Sequence, residues 1–198
     1  MRLFDTHCHF ERADPVEIAA TLARAKAAGV EKLMAVGGSD ALNESALVAP
    51  KVVCAVGYDR EQCNLPNLPN LPNLPNLSAC GEIGLDYHYS PETREAQLKL
   101  FAQQLEEART RDLPVVIHTR EADDDTLALL REIPSRGIIH CYTGTPEYAK
   151  RFLDLGFFIS ISGIVTFKPA DNVAPRRSSF RTTAFSSRRI RRSSRRCR

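Results

Sequence analysis

The chain has 198 residues, 43% of them hydrophobic and 26% charged, the balance of a soluble globular domain with enough material for a real core. It contains no apolar run long enough to span a membrane, and its start is too polar for a signal-peptide core, so a cytoplasmic protein without a membrane partner is expected. The formal net charge of +3 hides an asymmetry, because ten arginines and no acid lie between Arg176 and Arg198, and +3 less ten leaves the rest of the chain at −7. A basic footprint for nucleic acid would therefore rest on that tail alone.

Residues 2–5 read as a short apolar strand ending in His7-Cys8-His9. Alternate side chains of a strand share a face, so His7 and His9 project together, about 6.6 Å apart along the backbone, with Cys8 turned towards packing. Asp14-Pro15 opens a helix with Glu17 in a capping-box-like position; it runs through Ile18, Leu22 and Ala25 to Gly29. Lys32–Val36 is the second strand, a short helix covers Ala41–Val48, and Val52–Val56 is the third strand, ending at Gly57-Tyr58-Asp59. Residues 64–77 repeat Asn-Leu-Pro. Proline at every third position forbids a regular helix, and the segment reads as a tandem expansion of a connecting helix, extended or turn-like in form.

Cys80–Tyr87 is the fourth strand and carries Glu82. Ser90-Pro91 starts a long helix with Leu98, Phe101, Leu105 and Ala108 on one face. Pro114–Ile117 is the fifth strand, ending in His118-Thr119-Arg120, and a helix through Leu127–Leu130 follows. Gly137–Ile139 is the sixth strand, ending in His140. Thr145-Pro146 opens a helix that stops at Gly156, and Phe157–Ile161 is the seventh strand. Strands and helices alternate, and the strands are continuously apolar, as in a sheet buried on both faces. A TIM-type barrel is expected rather than a doubly wound sheet, because only a barrel draws four strand ends into one ring. The six cysteines, Cys8, Cys54, Cys63, Cys80, Cys141 and Cys197, form no C-x-x-C pair and read as reduced thiols.

Ligand-type residues recur at those strand ends: His7, His9, Glu82, His118 and His140. Of the chain's five histidines only His88 lies outside the set. Imidazole with carboxylate suits divalent zinc, manganese, iron or magnesium. One carboxylate can bridge two ions roughly 3.5–4 Å apart, an arrangement suited to phosphoester hydrolysis.

The four segments Asp5–His9, Gly81–Tyr87, Val116–Arg120 and His140–Gly144 resemble, in order and spacing, the motifs of TatD-family metal-dependent deoxyribonucleases, over residues 1 to about 172. The resemblance implies a barrel, a centre of two divalent ions (Mg, Mn or Zn) and hydrolysis of DNA phosphodiesters. By position it implies that His7 and His9 hold one ion, that Glu82 bridges and acts catalytically, and that His118 and His140 hold the second. Arg120 and Tyr142 fall on the substrate side. Glu82 stands where related amidohydrolases usually carry a modified lysine, which favours the nuclease-like branch. Tyr58-Asp59 stands where many members have His-Pro.

The family pattern also needs an aspartate in a Glu-Thr-Asp-Ser-Pro motif on the eighth strand, and this chain lacks it. After Asn172 the sequence is Arg/Ser-rich without periodicity. Synonymous codons for Arg181–Arg198, read one base earlier after a C, spell Pro-Asp-Asp-Arg-Leu-Leu-Val-Glu-Thr-Asp-Ser-Pro-Phe-Leu-Ala-Pro-Val-Pro. The expectation is a frameshifted tail over residues 173–198, with the lost aspartate codon straddling Arg189 and Ile190; a gene whose alternative frame lacks the motif would refute it. The barrel domain is thus set at 1–172, incomplete for want of its eighth strand, and a monomer of reduced activity is expected. Two other functions compete. A nucleic-acid-binding protein using the Arg-rich tail would lose salt-sensitive binding on deletion of 175–198. An amide or ester hydrolase on the same barrel would be separated by a substrate panel against a His118 variant.

Overall fold

A computed structural model describes residues 3–12, 14–50, 52–65 and 71–166. Their order is β1 (Leu3–Cys8), α1 (Pro15–Ala27), β2 (Val30–Gly38), α2 (Asp40–Val48), β3 (Val53–Tyr58), β4 (Leu77–Asp86), α3 (Arg94–Thr110), β5 (Val115–Arg120), α4 (Asp123–Glu132), β6 (Gly137–Ile139), α5 (Pro146–Asp154) and β7 (Phe158–Ile159). All six strand pairings are parallel and the strands lie in chain order from β1 to β7. A doubly wound sheet would reverse direction at a switch point. Simple succession is the winding of a TIM-type barrel, here a curled sheet of seven strands among the described residues, with β1 and β7 as its edges. The tail 173–198 lies outside those residues.

The strands alternate as a barrel requires. Val36, Ala55, Ala79 and Val116 form a small inner cluster. Their neighbours Ala35, Cys54, Val56, Cys80, Val115 and Ile117 pack on the opposite face, in the clusters beneath the helices.

Three of the five α-helices among the described residues start at a capping side chain. The Asp14 carboxylate accepts from the backbone of Val16 at 2.9 Å, Ser39 caps α2 and Thr145 caps α5. The turn Pro91–Thr93 is a 3₁₀ helix, so the α-helix begins only at Arg94. Its buried face includes Phe101, Leu105 and Ala108 as expected, and also Gln97 and Gln104, while Leu98 is half-buried. The seventh strand is shorter than the apolar run 157–161, since it pairs only with the three-residue β6. No α-helix joins β3 to β4 among the described residues; a 3₁₀ turn at Arg60–Gln62 leads into the repeat. Of the repeat, Leu71 is buried in the main core, and Arg111 of the loop after α3 donates to the carbonyls of Leu71 and Pro72 at 2.7 and 2.9 Å. Cys8, Cys54, Cys63, Cys80 and Cys141 are free thiols. Among the described residues no helix is long and apolar enough to cross a membrane.

Candidate metal centre

Alternation delivers the candidate ligands to one place. Cys8 packs with the outer cluster and its thiol donates to the Met34 carbonyl at 3.2 Å, so His7 faces inward. Ile117 and Ile139 are fully buried in the helix-side core, which leaves His118 and His140 on the inner face. In β4 the register against β5 shifts between Gly81 and Ile83. Cys80, Ile83 and Leu85 then all point into the helix-side core, and Glu82 and Asp86 face inward. Gly84 lies between them because nothing larger fits: at φ +130°, a Cβ there would come within 2.0 Å of the His118 carbonyl oxygen.

The centre is built on Glu82, which is 6% exposed. Its Oε2 lies 3.2 Å from His7 Nε2 and 3.3 Å from His9 Nε2, and those two nitrogens are 3.0 Å apart. Its Oε1 lies 3.4 Å from His118 Nδ1 and 3.4 Å from Arg60 Nη1. The His140 ring stacks on that of His7 with centroids 3.4 Å apart. Burial alone would raise the Glu82 pKa, but hydrogen bonds from His7 and His9 and the charges of His7 and His140 outweigh it and hold the carboxyl well below its ordinary value.

Acceptors on the far sides of the rings fix the donor nitrogens. The Val36 carbonyl can only accept, so His9 Nδ1 carries the proton of their 2.8 Å bond and Nε2 keeps a lone pair in the neutral ring. The Asp86 carboxylate likewise holds His118 Nε2 at 2.9 Å, turning Nδ1 towards Glu82. In their neutral forms these two rings present the His9 Nε2 and His118 Nδ1 lone pairs on the side of the Glu82 carboxylate. His7, His9 and Glu82 form a three-donor cluster of the kind that holds a metal ion. Two imidazoles with one carboxylate oxygen, the His9 ring anchored from behind by the Val36 carbonyl, fit a divalent cation.

The motifs of β1, β4, β5 and β6 thus meet in one centre, and over residues 4–182 the chain matches the family described as TatD related DNase. The chain belongs to this family. It is 38% identical over 188 residues to the metal-dependent hydrolase YcfH of Escherichia coli, covering 87% of this chain and 71% of that protein. It is 32% identical over 182 residues to the deoxyribonuclease Tat-D of Schizosaccharomyces pombe, covering 78% and 58%. Among solved structures it superimposes on YjjV, a TatD homologue from Escherichia coli, with a TM-score of 0.72 and 28% identity, over 88% of this chain and 73% of that one.

Within this TatD frame the remaining residues named from sequence take up different positions. The Arg120 guanidinium lies over the ring of Tyr89, 4.7 Å from its centroid. Tyr142 is 3% exposed, and its hydroxyl donates to Asp123 at 3.0 Å. His88 is turned to Glu121, apart from the centre. Tyr58, where many members have histidine, donates its hydroxyl to Asp40 at 2.8 Å, and burial with that bond pushes its pKa up to about 12. Two residues of the centre were not read from sequence. Asp86 is fully buried and holds His118; a signal existed, since it lies four residues beyond Glu82 on the same strand. Arg60 carried no signal, because its contact with Glu82 spans two strands.

Proposed function

We propose that this chain is a divalent-metal-dependent hydrolase of DNA phosphodiester bonds, with His7 and His9 on one ion, His118 and His140 on a second, and Glu82 shared. One observation carries the reading: the two oxygens of a single buried carboxylate face different imidazoles, Oε2 towards His7 and His9 and Oε1 towards His118. That is the placement a bridging ligand needs. Divalent ions so held supply a water of lowered pKa and positive charge for the attacking and leaving oxygens. The protein's part is orientation: Val36 and Asp86 set which imidazole nitrogen faces inward, and burial keeps Glu82 out of bulk water. Arg120, at the open end of β5, offers a guanidinium to a phosphate oxygen. Tyr142 serves the substrate side through the loop that its bond to Asp123 anchors. The DNase name of the fission-yeast relative supports DNA as the partner.

Loss of the aspartate whose codon would straddle Arg189 and Ile190 removes a charged ligand from the first ion. Turnover is therefore expected to fall below that of the same chain with its alternative frame restored. The test incubates metal-stripped protein with end-labelled single- and double-stranded DNA plus Mg²⁺, Mn²⁺ or Zn²⁺. Cleavage should require an ion, stop on chelation, and drop by at least about 10²-fold in H9A and H118A. The reading fails if the frame-restored chain cuts no DNA with any of the three ions, or if chelation leaves cleavage unchanged. Cleavage confined to amides or small esters would instead favour another hydrolase on the same barrel.

A further inference from the structure

The two halves of the Glu82 carboxylate are not equivalent. On the Oε2 side the partners are the imidazoles of His7 and His9. On the Oε1 side the chain supplies a permanent cation, Arg60 Nη1 at 3.4 Å, on the oxygen that also faces His118 Nδ1. A guanidinium cannot lose its proton in a protein, so this charge is present at every working pH. It lies against the same oxygen of the buried carboxylate that the His118 ring faces.

The support of Arg60 suits a residue that leaves. It stands on a three-residue 3₁₀ turn, Arg60–Gln62, whose start is fastened by Asp59 accepting from the Glu61 backbone at 2.9 Å. The guanidinium is 20% exposed and already touches a second carboxylate, Glu61 Oε1, 3.4 Å from Nη2, which is 70% exposed. A rotation of the long side chain away from Glu82 would leave it with Glu61 and with Asp59, whose Oδ2 lies 3.9 Å from Nη1, and an exposed pair of this kind costs little to make or break.

We propose that Arg60 is a built-in counter-cation of Glu82 that occupies the Oε1 half of the centre and must withdraw before a second divalent ion binds there. The proposal rests on the two-ion reading above. Its consequence is an unequal centre. The His7–His9–Glu82 Oε2 half takes the first ion unopposed, and the second ion competes with a tethered charge, so its affinity is set by Arg60.

The experiment titrates the metal-stripped chain with Mn²⁺, counting bound ions by electron paramagnetic resonance and taking stepwise affinities by calorimetry. Wild type, R60M and R60Q are compared, with circular dichroism to show that each is folded; R60Q carries the comparison should R60M not fold. The expected result is two binding steps, the weaker tightened about ten-fold in the variants, the size of an ordinary coupling between neighbouring sites, and the tighter within about two-fold. R60K, which keeps the charge, should stay with wild type. Two steps of unaltered affinity in R60M and R60Q would overturn the role of Arg60 and leave the metal centre standing. A single step in every variant would also overturn it. Absence of Mn²⁺ binding in all of them would sink the metal reading and this inference together.

Discussion

Asp86 acts on the centre through the His118 ring that it holds. It accepts from His118 Nε2 through Oδ2 at 2.9 Å and from the backbones of His88 and Tyr89 through Oδ1 at 2.9 and 3.1 Å. Burial works to raise its pKa, but the His118 bond and the Tyr89 amide more than offset it and hold the carboxyl below its ordinary value. D86N keeps the shape and one acceptor oxygen but weakens the hold on the His118 ring. Mn²⁺ affinity should fall by roughly 10–100-fold, the usual loss when the partner of a ligating histidine is removed, with an unchanged circular dichroism spectrum. An affinity within about two-fold of wild type would show that His118 needs no orienting carboxylate. The histidines and Glu82 were legible because ligand-type residues stand out at the ends of apolar strands. Asp86 was not singled out, because its importance lies in a partner on the neighbouring strand.

The helices hold the strand ends in register through polar side chains that a hydrophobic pattern does not show. Gln97 and Gln104 are seven residues apart on α3, two turns, and so share its buried face. Gln104 accepts from the Tyr58 amide and donates to the Tyr58 carbonyl, both at 2.7 Å, and Gln97 does the same for Asp86 at 2.8 and 3.1 Å. Each glutamine completes the backbone bonding of one strand where it reaches the centre. Asn43 of α2 performs a similar task between β2 and β3, accepting from the amides of Gly38 and Gly57, and any side chain at Gly37 would collide with it. The sequence led us to assign α3 by its apolar stripe; the glutamines within that stripe become intelligible only once the strands they serve are in place.

Helix α4 carries a related device, three consecutive acids in its first turn, where the helix dipole favours them. Asp123 accepts from Tyr142, Asp124 from Tyr148 and Arg151, and Asp125 from Tyr87 and, bidentately, from Arg94 at 2.8 and 2.9 Å. The Arg94 bond, followed by that from Tyr87, holds the Asp125 carboxyl below its ordinary value despite partial burial. A carboxyl depressed in the folded state stabilises above its unfolded pKa of about 3.9, and the contribution is lost as pH falls through the lower folded value. D125N should therefore melt below wild type at pH 7, by no more than about 1 kcal/mol for so exposed a pair. The gap should close in melts run progressively below pH ~3.9; a gap independent of pH would show that the charge is not what matters.

At the scale of the whole molecule, the described residues form a curled sheet whose first and last strands are edges. The rim near them carries large apolar side chains: Phe158 on β7 is 52% exposed and Phe4 on β1 is 39% exposed. Edge strands with such surfaces promote association between chains unless charge or cover protects them. Adding charge on that edge should help, so F158K is expected to lower concentration-dependent light scattering of the chain while changing its stability by no more than about 0.5 kcal/mol. Scattering identical to wild type would mean that the β7 edge is not the surface through which copies meet.

Local pattern alone determined the alternation of strands and helices, the helix starts at Asp14 and Thr145, and the set of ligand-type residues at strand ends, because periods of two and 3.6 residues and capping chemistry are read over a few neighbouring positions. The motifs of the four strand ends also placed the chain in its family. Tertiary structure decided what lies between residues dozens of positions apart. It set the strands in unbroken succession, turned the Nδ1 of His118 and the Nε2 of His9 inward through Asp86 and Val36, and brought Arg60 against the far oxygen of Glu82. These follow from register and crossover, which bring distant backbone groups within hydrogen-bonding reach and leave no trace in the spacing of the residues themselves.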